Sequence, residues 1–192
     1  MDTTKPKVVQ KIVMAVVLAL TSALSLAFFA CSSNSDEQVI RDGITSELES
    51  IKQLDDDAMD QILGSAASSA DFAQFGITDE EFVRSWLTGF DYSVDDVTVN
   101  GNNATVDVTI TCKPMSGIMV TFQNDITDFA SSDEAATMTQ DELNNQTGTI
   151  LLDSVDDTST ATTSVSLPYV KNGNTWEPGS AFNTELSKVL IG

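Results

Sequence analysis

Apolar residues recur at helical spacing from position 39 onward: Val39, Ile40, Ile44, Leu48, Ile51, Leu54 or Ala58, Ile62 and Leu63. Asp42, Glu47, Glu49 and Asp56 fall on the opposite face. Asp36 stands where a cap belongs and Gly64-Ser65 closes the stretch. The pattern predicts one long amphipathic helix of about seven turns, whose stripe must lie on something apolar. Residues 65–70 are small or polar and either extend this helix or break the chain. Thr78 with Glu81 three positions on is a capping box. It opens a second helix over residues 80–87, with Phe82, Val83 and Trp86 inward and Gly89 at its end.

The period then switches to two. Ala104, Val106, Val108, Ile110 and Cys112 alternate with Thr105, Asp107, Thr109, Thr111 and Lys113, a strand with one buried and one wet face. Upstream, Tyr92 and Val94 are in one phase and Val97 and Val99 in the other, so a bulge at Asp95-Asp96 would put all four on one face. An Asn100-Gly101 turn joins the two strands, and Pro114 closes the second. Residues 119–130 return to helical spacing, with Phe122, Ile126 and Phe129 on one side. Thr139 and Glu142 form another capping box, opening a helix to about residue 153 with Leu143, Ile150 and Leu151 inward. Gly148 costs that helix about 1 kcal/mol relative to Ala, which leaves a strand over residues 147–152 as the rival reading. Ala161, Thr163, Val165, Leu167 and Tyr169 alternate as a further strand, with Pro168 pointing to an edge position or an irregularity near its end. A second turn, Asn172-Gly173, would set Lys171 opposite Asn174 and Tyr169 opposite Trp176 as an aromatic pair. Phe182, Leu186, Val189 and Leu190 predict a final helix. The class is α+β: an antiparallel sheet of about four strands, from two Asn-Gly hairpins, packed on a long N-terminal amphipathic helix and further helices.

The N-terminus follows another logic. Lys5, Lys7 and Lys11 make a basic start, residues 12–30 carry no charge, and Ala30 puts a small residue before Cys31. These are the parts of an export signal. Phe28-Phe29-Ala30-Cys31 resembles a bacterial lipobox, with phenylalanines where that pattern prefers Leu and a small residue. The resemblance implies a diacylglyceryl thioether on Cys31, cleavage before it, and acyl chains such as palmitate holding the protein on the membrane. A signal-anchor helix is the first alternative, since the nineteen uncharged residues 12–30 are just enough to span hydrocarbon. Ordinary secretion is the second. All three place the rest of the chain outside the cytoplasm. The expected organisation is a lipoprotein signal peptide over 1–30, a short tether over 31–35 and a single α+β domain over 36–192.

The chain has 29 acidic and 9 basic residues. Removing 1–30 takes away Lys5, Lys7, Lys11 and Asp2 and leaves a net charge near −22. That argues against nucleic acid, which demands basic stripes, and against a domain lying flat on anionic lipid. With Cys31 acylated, Cys112 is alone on the apolar side of its strand and reads as a core residue. The sequence has no histidine, which removes His-dependent nucleophile pairs and His-ligated zinc. No phosphate-binding Gly loop or dinucleotide fingerprint occurs. Asp55-Asp56-Asp57, and Asp153 with Asp156-Asp157, lack the spacing of an EF-hand loop and read as solvated helix ends or turns. No cofactor, metal or catalytic residue is expected.

The lipobox together with the segments at 97–106 (VTVNGNNATV) and 166–176 (SLPYVKNGNTW) resembles small extracytoplasmic lipoproteins of Gram-positive, especially actinobacterial, bacteria. Their domains are similar to nuclear-transport-factor-2-like and cystatin-like folds, which implies a curved antiparallel sheet wrapped on helices. Three functions stay open: a non-catalytic binding module for a small ligand, peptide or envelope protein; an accessory subunit of an envelope complex; and a carboxylate-dependent hydrolase. The first is the expectation.

Overall fold

The computed structural model describes residues 28–29, 35–66 and 72–192. The helices are α1 (Asp36–Gln53), α2 (Asp56–Ala66), α3 (Asp79–Leu87), α4 (Met115–Ala130), α5 (Gln140–Asp157) and α6 (Phe182–Ile191). The strands are β1 (Phe28–Phe29), β2 (Asp91–Asn100), β3 (Asn103–Cys112), β4 (Ala161–Asn172) and β5 (Thr175–Pro178). The four longer strands form the expected curved antiparallel sheet, and the two-residue β1 extends it in the order β1-β5-β4-β3-β2.

The predicted seven-turn helix is two helices. Leu54 is left-handed at φ 49°, and its N–H turns back to the carbonyls of Ile51 and Ser50. The Asp55 carboxylate then accepts the Ala58 N–H at 2.8 Å and caps α2. The sequence marks the break: the stripe can be continued through Leu54 or Ala58 because its phase slips there. Asp36 is not the cap of α1; Ser35 is, its hydroxyl accepting from the Gln38 N–H at 3.3 Å.

Both capping boxes form, at Thr78/Glu81 and Thr139/Glu142. α5 runs through Gly148, so the strand reading of 147–152 is wrong. Glycine is needed there because a Cβ would collide with the Phe75 carbonyl oxygen where the 3-10 turn Phe72–Phe75 meets the helix.

The β2–β3 ladder shifts register between Val94 and Asp96, the bulge that the phase change predicts. Tyr92, Val94, Val97 and Val99 all reach the core. The turns lie one residue beyond the expected positions. Asn100 pairs with Asn103 and Asn172 with Thr175, so Gly101-Asn102 and Gly173-Asn174 are the central residues. Each glycine takes the positive φ (60° and 63°) that the first central position of a type II′ turn requires. Trp176 therefore faces Lys171, not Tyr169, and the predicted aromatic cross-strand pair does not form. Tyr169 meets Phe182 of α6 edge-on instead, at 5.4 Å between ring centroids.

β4 is interior to the sheet, between β3 and β5, which corrects the edge expectation for Pro168. The proline fits because its missing N–H faces the side where β5 has ended. The last pair is Tyr169 with Pro178, and the Gly179 N–H reaches the Pro168 carbonyl at 2.8 Å.

α1 lies on β2 and α6 on β4, while α5 packs with α3, α4 and the turn at Phe72. Trp86, Trp176, Tyr169, Phe72, Phe82 and Phe182 fill the space between sheet and helices and are fully buried. Cys112 is buried as expected; its thiol faces the Val189 carbonyl at 3.7 Å, and burial pushes its pKa up to about 11.

Candidate functional site: the start of the first helix and a buried carboxyl

Cys31, the one site residue expected from sequence, lies outside the described residues. What it would be joined to is well defined. Ser35 and Asp36 open α1, and the Asp36 carboxylate accepts two hydrogen bonds from Lys171 Nζ, at 2.8 and 2.7 Å. It also accepts one from Trp176 Nε1 at 3.1 Å. The same ammonium sits 5.4 Å from the Trp176 ring centroid. The Lys171 bonds first, and then Trp176, hold the Asp36 carboxyl below its usual range. Lys171 also donates its backbone N–H to Asn102 of the other turn at 2.8 Å. The helix start and both hairpin turns therefore meet at one end of the sheet. The sequence placed Lys171 in its strand and read Asp36 as the cap, and gave no sign that the two pair.

Glu47 corrects the sequence reading more sharply. It was expected on the wet face of the first helix, yet both its carboxyl oxygens are buried and accept no hydrogen bond. Burial alone pushes its pKa up to about 8, with no second carboxylate contributing. Tyr169 is its neighbour from β4: burial raises the phenol's pKa and the Glu47 charge raises it further. The signal was present in the spacing. Glu47 stands three residues after Ile44 and four before Ile51, on the apolar stripe itself.

The opposite end of the sheet holds Lys113, which alternation had assigned to the wet face. It is buried, because the strand ends at Cys112 and Pro114 turns the chain. Its ammonium donates to the Val155 carbonyl at 2.8 Å, near the C-terminus of α5, and Asp156 stands 3.7 Å away. The Trp86 indole donates to the Lys113 carbonyl at 2.9 Å. A cation at a helix C-terminus is favoured by the helix dipole, and this cluster ties α3, β3 and α5 together.

The outer sheet face carries hydroxyls and carboxylates that satisfy one another: Thr109 with Asp95 and Ser164, Thr111 with Thr162, Ser166 with Asp107. A shallow, open groove of about 360 Å³ runs over the outer side of α1 between Asp42 and Gln53. Beside it Tyr92 donates its hydroxyl to the Thr45 carbonyl and to Glu49. Among the described residues no group of three or more Cys, Asp or Glu side chains is placed to hold a metal ion. No helix among them is long and apolar enough to cross a membrane.

These features define an α+β protein with an antiparallel sheet and a pinned N-terminal helix. No protein-family profile matches the chain, and no curated protein does. Among solved structures it is similar to the crystal structure of "a putative lipoprotein (ycdA)" from Bacillus subtilis. The TM-score is 0.43 and the identity 17%, over 78% of this chain and 46% of that one. The chain thus spans less than half of that structure. At this TM-score the likeness extends to neither a fold family nor an activity.

Proposed function

We propose that the protein is a lipid-anchored, non-catalytic interaction module held through Cys31 on the outer face of the bacterial cell membrane. The observation that carries this reading is the pinned tether end. α1 is capped by Ser35, four residues after Cys31, and is tied to the late hairpin, whose Lys171 N–H in turn bonds Asn102 of the other turn. Four residues reach at most about 14 Å, so an acylated Cys31 holds these turns beside the bilayer and presents the far end of the sheet outward. The surplus of acids keeps such a domain standing off anionic lipid. The aromatic filling of the interior favours recognition of an envelope protein at the surface over an enclosed small ligand. The nuclear-transport-factor-2-like or cystatin-like character of the domain belongs to the same proposal. Its support is the order of helices, hairpin, helices, hairpin and terminal helix.

Labelled palmitate fed to cells expressing the full chain is expected to enter the wild type and not Cys31→Ala. Equal labelling of both removes the lipid anchor.

One observation favours a second reading. Phe28–Phe29, which cleavage before Cys31 would remove, pair with β5. An uncleaved signal anchor would keep that strand. The N-terminal mass of membrane-extracted protein separates the two: an acylated Cys31 start supports the lipoprotein, and a start at Met1 supports the anchor.

A further inference from the structure

The Glu47 carboxyl lies in the seam between α1 and the sheet, with both oxygens buried and no hydrogen bond to either. α1 packs chiefly on β2, the last strand of the sheet. Asp36 binds its start to Lys171 and Trp176, and the left-handed Leu54 stops its far end. Between these points Ile40, Ile44, Leu48 and Ile51 are buried, and Gly43 lowers the helix's own propensity.

The groups around the seam are engaged elsewhere. From β4 the Tyr169 phenol faces the carboxyl, and a negative charge on Glu47 opposes its ionisation. Lys171 of the same strand is taken by Asp36. From β2, Tyr92 donates to the Thr45 carbonyl and to Glu49, and Asp91 pairs with Lys52. Arg41 of α1 itself donates to the Val94 carbonyl at 2.9 Å. Phe28–Phe29 bring no titratable group, and Asp56 and Asp57 at the start of α2 are exposed. A neutral carboxyl is tolerated in such a seam. A carboxylate that has neither donor nor counter-ion is driven toward water.

We propose that Glu47 is a proton-operated latch: protonated, it lets α1 lie closed on the sheet, and ionised, it loosens the middle of α1 between the Asp36 clamp and the Leu54 break. The folded pKa, pushed up to about 8, lies above the ordinary 4.5. Closure is therefore fully favoured below about pH 4.5 and weakens as pH rises through about 8. Asp36 is shifted the opposite way, so its carboxylate keeps the start of the helix attached across that range. A loosened α1 uncovers Ile40, Ile44, Leu48 and Ile51 without leaving the molecule.

Hydrogen exchange of the purified full chain, read by mass spectrometry on peptides from α1 and β3 at pH 6 and pH 9, tests this. Rates are corrected for the intrinsic pH dependence of exchange. A carboxyl moving between 4.5 and 8 makes α1 about a hundredfold more open at pH 9 than at pH 6. The expected result is a loss of protection in α1 by that factor, with α1 exchanging at least about tenfold faster than β3 at pH 9. Glu47→Gln is expected to keep α1 closed at both pH values. Equal exchange of α1 and β3 at pH 9 overturns the latch, because the loss then belongs to unfolding of the whole molecule. Protection of α1 that does not change with pH in the wild type overturns it as well, as does the same loss in Glu47→Gln. The comparison of α1 with β3 in the wild type decides the matter even where the variant fails to fold.

Discussion

At the scale of single residues, Glu47 is the most consequential side chain of the described structure. Its carboxyl occupies a position that Ile or Leu would fill, and burial pushes its pKa up to about 8. The folded value lies above the unfolded one, so its stabilising contribution is complete below about pH 4.5 and is lost as pH rises through about 8. Asp36 runs the other way: its folded pKa is lowered, so its contribution is present above the ordinary carboxylate pKa and fades in acid. Glu47→Gln is expected to flatten the decline in stability between pH 5 and 8.5 and to raise stability at the upper end by roughly 1–3 kcal/mol. Urea melts of both proteins at the two pH values measure this; parallel slopes would show that Glu47 does not ionise in that window. Tyr169 reports the same event, since its phenol faces the carboxyl that changes charge.

Among the elements, α5 gives the sharpest expectation. Gly148 lies in mid-helix, where propensity alone says Ala would stabilise by about 1 kcal/mol. A Cβ there meets the backbone of Phe75, and a carbonyl in a 3-10 turn has little room to move. Gly148→Ala is therefore expected to lower stability by about 1–3 kcal/mol, by thermal or chemical unfolding; a more stable variant would show that the Phe72–Phe75 turn is free to shift. Position 148 also shows where sequence reading stops. The capping boxes, the β2 bulge and the terminal helix were legible because each rests on contacts within a few residues. The close approach that demands a glycine depends on what another element places against the helix, whereas the break at Leu54 and the inward turn of Glu47 left a trace in the phase of the apolar stripe. The hairpin register slipped for a local reason. An Asn-Gly pair can occupy both central positions, or close the turn with Asn and begin it with Gly, and only the paired strands decide. The Asp36–Lys171 contact was beyond local reading for the opposite reason, as it joins the first helix to the late hairpin.

For the whole molecule, the clamp at the start of α1 matters more than the open groove. Asp36→Ala would leave the fully buried Trp176 indole N–H without its acceptor and Lys171 without its partner. The expected loss is about 1–3 kcal/mol in global unfolding, with faster amide exchange in the first turns of α1 than at its end. Unchanged exchange there would show that the clamp does not hold the helix down. The described surface, acidic on the α1 side and hydroxyl-rich on the outer sheet, offers few cations to an anionic neighbour. Lys171 and Asp36 stand 135 positions apart in the chain. A pull on the first helical residue thus passes at once into the late hairpin instead of unreeling the helix.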